Sequence, residues 1–137
     1  VIDVLAEKFS TFNVKYVVGI ESRGFILGSA IAYKLGLGFI PVRKPGKLPH
    51  KVESACYELE YGSDTLEIHV DSVKLGDRVL IIDDLLATGG TAEAAHRLLK
   101  SIGADVAGMG FVVELGFLKG RQKLPSGVEI FSICEYD

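Results

Sequence analysis

Two hydrophobic patterns alternate along the chain, and their alternation predicts the architecture. Short, nearly unbroken apolar runs at Tyr16 to Ile20, Phe39 to Val42, Val79 to Asp83, Val106 to Leu115 and Val128 to Cys134 read as strands buried on both faces, as in a parallel sheet. Between them the period lengthens. Ala95, Leu98, Leu99 and Ile102 recur at i, i+3, i+4 and i+7 opposite Glu93, Arg97 and Lys100, which predicts an amphipathic helix over 91–102 closed by Gly103. Val4, Leu5 and Phe9 predict a helix within residues 1–12. The segment from Gly24 to Leu35 is apolar on most sides and stops at Gly36, so its helix is expected to be deeply buried or shared with another subunit.

Two further runs, Cys56 to Tyr61 and Thr65 to Val70, flank Gly62-Ser63-Asp64, a hairpin signal, and the basic, proline-containing stretch from Arg43 to Lys51 reads as a loop. Strands alternating with helices imply an α/β fold: a mainly parallel central sheet flanked by helices, with a protruding β-hairpin at about 56–70. The whole chain, 1–137, is expected to form a single domain.

In such sheets ligands bind outside the carboxyl ends of the strands. The run Val79 to Ile82 ends in Asp83 and Asp84, and Leu85 and Leu86 lead into Ala87-Thr88-Gly89-Gly90-Thr91 at the start of the helix. Free backbone N–H groups and the positive dipole end make a helix N-terminus an anion site. The glycines let a phosphate approach the backbone, and Thr88 and Thr91 add hydroxyl donors. Two carboxylates beside such a cradle would repel a bare phosphate, so they are better matched to hydroxyl groups or a cation carried on the same molecule. A phosphorylated sugar with vicinal hydroxyls and Mg²⁺ meets that requirement. The competing reading is a solvated turn with an N-cap role joined to a tight connection. No Walker A sequence and no Gly-x-Gly-x-x-Gly occurs, which disfavours nucleoside triphosphates and dinucleotides.

A second anion-compatible turn is Glu21-Ser22-Arg23-Gly24, between a strand and a helix. Arg23 suits bidentate contact with pyrophosphate, whereas a cation at a helix start with no anionic ligand would oppose the dipole. Arg43, Lys44, Lys47 and Lys51 cluster after the second strand, as a solvated face or as neutralising groups at a strand's carboxyl end.

The stretch Ile82 to Thr91 resembles the 5-phosphoribosyl 1-pyrophosphate (PRPP) signature of the type I phosphoribosyltransferases. Along the chain from about residue 14 the likeness extends to the adenine-using branch of that family, through Val18 to Phe25, Pro41 to Pro49, Tyr57 to Gly62, Glu114-Leu115 and Leu118 to Arg121. The resemblance implies purine salvage: adenine and PRPP giving AMP and pyrophosphate, in a cytoplasmic homodimer with Mg²⁺ held mainly by PRPP and by no protein ligand directly. It implies that Ala87, Thr88, Gly89, Gly90 and Thr91 hold the 5′-phosphate, and that Asp83 and Asp84 hold the ribose hydroxyls. Ser22, Arg23, Gly24, Arg43 and Lys44 would lie about the pyrophosphate, with a non-proline cis peptide in the first turn. The hairpin would be a lid carrying Glu60 as general acid/base with Tyr61 beside it, shielding the reacting ribosyl centre from water. Leu115 would pack on the purine, although core packing accounts for it equally well. Family members begin with a hood segment over the base, and the chain starts at Val1, so the base subsite is expected to be incomplete. Transfer to xanthine, hypoxanthine or guanine, and a non-catalytic PRPP-binding regulator, are the alternatives.

Composition narrows the partners. Hydrophobic residues make up 48% of the chain and mean hydropathy is +0.32, which points to apolar surface covered by a second subunit. A net charge of −3 supplies no basic excess for a nucleic acid, and no apolar run is long enough to cross a bilayer. The N-terminus has no basic, signal-like pattern, so a cytoplasmic protein is the default. Cys56 and Cys134 lack metal-ligand spacing and read as reduced, structural thiols, and His50, His69 and His96 show no partner spacing.

Overall fold

A computed structural model describes residues 1–59 and 61–137. The chain runs α1 (Ile2–Phe9), β1 (Tyr16–Ile20), α2 (Arg23–Leu35), β2 (Gly38–Val42), β3 (Val52–Leu59), β4 (Gly62–His69), β5 (Arg78–Leu86), α3 (Gly90–Ser101), β6 (Asp105–Leu115) and β7 (Glu129–Tyr136). Two 3₁₀ turns, Gly116–Leu118 and Gly120–Lys123, separate β6 from β7. β1, β2, β5, β6 and β7 form one sheet in the order β2-β1-β5-β6-β7, with every pairing parallel, and β3 and β4 form an antiparallel hairpin.

The unbroken apolar runs are explained by burial on both faces. Val17, Leu80 and Ile82 point to α1 and α2, where they meet Leu5, Phe9 and Ile31. Val18, Val79 and Ile81 point the other way, into a second core with Ala95, Leu98 and Leu99 of α3 and with Leu66 and Ile68 of the hairpin. The chain from β1 turns outward to β2, and the chain from β5 turns outward to β6 on the opposite side. The carboxyl ends of the adjacent strands β1 and β5 therefore bound a topological switch point, where a crevice must open.

Two expectations need correction, and one alternative narrows. The hairpin does not turn at 62–64: Gly62 pairs with Leu59, Ser63 with Glu58 and Asp64 with Tyr57, so those residues are strand. Strand pairing extends to Leu86, which places Asp83 within β5, opposite Phe111, rather than at its carboxyl end. Of the two expectations for α2, burial or sharing with another subunit, burial on every side is not met. Gly24, Gly28, Ile31 and Ala32 are buried, whereas Ile26 is 73% and Tyr33 is 89% exposed. Gly36 ends α2 in the left-handed conformation, as a C-terminal glycine should.

Candidate active site

The Glu21 to Gly24 turn after β1 and the Asp83 to Thr91 segment after β5 meet in a cleft of about 260 Å³, walled on its third side by Lys44, Tyr57 and Leu66. Of the residues singled out in sequence, Ser22, Arg23, Lys44, Asp83, Asp84, Ala87, Thr88, Gly89, Gly90 and Thr91 all line it. Gly24 is buried beneath, where a Cβ would come within 3.1 Å of Asp83 Oδ1. The Glu21–Ser22 peptide is cis.

The acidic pair is divided by its surroundings. Asp83 is 9% exposed and its Oδ1 accepts the N–H of Asp84 at 2.9 Å. Burial, with the neighbouring Asp84 charge adding to it, pushes its pKa up to about 8. Burial also works against ionisation of Asp84, but the ion pair with Arg23 outweighs it and holds that carboxyl below the usual range. The surroundings thus push the two acids apart, Asp83 toward its neutral form and Asp84 toward its anion.

The basic loop is organised by a residue that sequence reasoning left without a role. Glu21, with its side chain only 10% exposed, accepts the Lys44 N–H at 2.8 Å and lies 3.4 Å from Arg43 Nε, and it pairs with Lys47. Burial opposes its charge, yet these three donors hold its pKa below the ordinary carboxylate value. Arg43 is also stacked on Phe25 at 5.7 Å, outside the cleft lining. Lys44 reaches into the cleft and donates to Tyr57 Oη at 2.8 Å and to Asp64 of the hairpin. Its own burial lowers its pKa, but Asp64 and Tyr57 reverse the effect and keep it charged. Asp64 and Tyr57 had no sequence signal beyond a turn and a strand, because their partner is 20 and 13 positions away.

At the opposite wall, Gly89 precedes α3 with φ +89°, in the left-handed region, and the backbone of 87–91 opens toward the cleft at the helix N-terminus. The cleft thus brings together the 87–91 backbone at a helix N-terminus, the cations Arg23 and Lys44, and the acids Asp83 and Asp84.

The family pattern described as phosphoribosyl transferase domain matches residues 1–129. The chain belongs to the phosphoribosyl transferase family. Across 135 residues it is 56% identical to an adenine phosphoribosyltransferase of Desulfitobacterium hafniense, covering 98% of this chain and 78% of that protein. Among solved structures it is similar to adenine phosphoribosyltransferase from Thermoanaerobacter pseudethanolicus, with TM-score 0.95 and 50% identity over 98% of this chain and 78% of that one. It is also similar to the Saccharomyces cerevisiae adenine phosphoribosyltransferase in complex with an imino-altritol bisphosphate and adenine, with TM-score 0.89 and 46% identity over 96% and 76%. The likeness to this phosphoribosyl transferase family reaches back before residue 14 and so includes α1.

Of the remaining expected site residues, Tyr61 and Leu115 are not among the cleft-lining residues. Glu60 is outside the described residues. Tyr61, next to it at the hairpin tip, is 90% exposed. Leu115 ends β6 paired with Tyr136 of β7 and is not among the cleft-lining residues. A separate apolar hollow beside the cleft is lined by Val1, Ile26, Leu27, Leu85, Val112 and Val113, with Arg23 and Asp84 at its polar side. Cys56 and Cys134 are free and exposed, so neither is a packed structural thiol.

Proposed function

We propose that this chain transfers the 5-phosphoribosyl group of PRPP to adenine, forming AMP and releasing pyrophosphate. The observation that carries the reading is the convergence of an anion cradle, an acidic pair and a basic wall in one cleft at the β1/β5 switch point. Each part suits one part of PRPP. The 87–91 backbone would take the 5′-phosphate, Asp84 and Asp83 the ribose hydroxyls, and Ser22, Arg23 and Lys44 the pyrophosphate, with Gly24 beneath them and Arg43 behind the lining. Positive charge held at that end stabilises the leaving group as the bond to the anomeric carbon breaks. The names of relatives at 50% identity and above support adenine as the acceptor.

Mg²⁺ is proposed as the cofactor, where it would offset the charge of the pyrophosphate. Asp84 is engaged by Arg23, and PRPP itself offers phosphate and hydroxyl oxygens, so the cation would arrive mainly on the substrate. Glu60 is proposed as the general acid/base for the purine, with Tyr61 beside it and the hairpin as the lid. Leu115 is proposed to help hold the base. A homodimer is proposed on the exposed apolar residues of α2, and a cytoplasmic location on the phosphorylated substrate and free thiols.

The test is to follow AMP formation from adenine and PRPP beside a PRPP-binding titration. Turnover with adenine in preference to hypoxanthine, guanine and xanthine is expected. Binding of PRPP without turnover of any base would replace the enzyme reading with that of a PRPP-binding regulator.

A further inference from the structure

The outer side of the phosphate cradle rests on the 3₁₀ segment between β6 and β7. A Cβ on Gly89 would stand 2.4 Å from the Gly120 carbonyl oxygen, and a Cβ on Gly120 would stand 2.4 Å from the Ala87 carbonyl oxygen and 3.1 Å from Gly89 N. These are backbone atoms, which cannot swing aside as a flexible side chain can. Gly89 has a second reason to be glycine, its positive φ, but Gly120 has none, since it is not among the positive-φ glycines. Close approach to Ala87 and Gly89 is the one demand the structure places on that position.

The segment is also anchored. Lys119 turns the chain in the left-handed conformation, and Arg121 then donates to both oxygens of Glu114, at 2.7 and 2.9 Å. Glu114 is 4% exposed, accepts Ser132 Oγ at 2.7 Å, and sits in register with Leu86, the last residue before the cradle. Arg121 also donates to the Ile130 carbonyl at 3.1 Å, which ties the segment to β7. A bidentate guanidinium–carboxylate pair fixes orientation as well as distance.

We propose that Gly120 is a positioning residue for the cradle, held in place by the Arg121–Glu114–Ser132 cluster, so that the N–H groups of 87–91 converge on the 5′-phosphate. The inference rests on the assignment of that loop to the phosphate of PRPP. Its substitution should therefore damage one end of the site only.

The experiment titrates the full chain with two separate probes, ribose 5-phosphate and inorganic pyrophosphate with Mg²⁺, and compares wild type with Gly120→Ala and Arg121→Gln. Ribose 5-phosphate binding is expected to weaken at least tenfold in Gly120→Ala and several-fold in Arg121→Gln, with pyrophosphate binding within twofold of wild type. Arg121→Gln leaves the glycine in place and serves as the test if Gly120→Ala does not fold. Unchanged ribose 5-phosphate binding in both variants would overturn the inference, as would equal weakening of both probes, which marks a general loss of structure. Failure of wild type to bind ribose 5-phosphate would instead overturn the phosphate assignment itself and this inference with it.

Discussion

At the scale of single residues, the division of the acidic pair has consequences that two equivalent aspartates would not. Asp84 carries the charge, and Arg23 is its partner while that guanidinium stays 74% exposed at the mouth of the cleft. Removing the charge with Asp84→Asn is expected to lower kcat/KM for PRPP about 10- to 100-fold, the range for losing one charged hydrogen bond, with little change in melting temperature. Wild-type turnover at all PRPP concentrations would show that Asp84 does not hold the ribose. Asp83 makes a different prediction. Its pKa is about 8 in the folded state against an ordinary 3.8, so between those values the folded protein retains a proton that the unfolded chain has released. Stability must then fall as pH rises through that window and level off above it. Asp83→Asn should flatten the decline in melting temperature between about pH 5 and 8, and an undiminished decline would mean that another group titrates there.

The elements show why some boundaries were legible in the sequence and others were not. β1 was readable to the residue because its apolar run is flanked by polar positions on both sides. β5 was cut short at Asp83, since a carboxylate normally marks the end of a buried strand. Here the backbone keeps pairing to Leu86 while Asp83 is buried, with its pKa pushed up to about 8. The hairpin turn was misplaced because Gly-Ser-Asp is a turn composition, whereas Asp64 is needed in the strand to reach Lys44. The hairpin also has a latch with no sequence signal. Arg97 of α3, spaced as a solvated helix residue, donates to the Cys56 carbonyl at 2.7 Å and to Glu93 at 2.7 Å. Arg97→Ala is expected to cost about 1 kcal/mol and to speed hydrogen exchange in β3 and β4 while β1 and β5 stay protected. Unchanged exchange in the hairpin would mean that Tyr57, Leu66 and Ile68 hold it without the latch.

For the whole molecule, the open question posed by the composition is where its apolar surplus goes. Much of it fills two cores, one on each face of the sheet, but α2 leaves Ile26 and Tyr33 uncovered. A homodimer that covers them predicts that Ile26→Glu combined with Tyr33→Glu lowers the sedimentation coefficient at micromolar concentration to that of a single chain. A monomeric wild type would remove the premise.

Hydrophobic periodicity alone determined the α/β class and the parallel sheet, because period and burial are local properties that neighbouring residues reveal. That residues 83–91 act together was legible because they are contiguous, and they do line one cleft. Tertiary structure alone decided which acid is held as the anion, that Glu21 gathers Arg43, Lys44 and Lys47, that Asp64 and Tyr57 hold Lys44, and that Gly120 backs Gly89. Those facts depend on desolvation and on contacts between residues far apart in the chain. Side-chain spacing along a strand or helix carries no record of either.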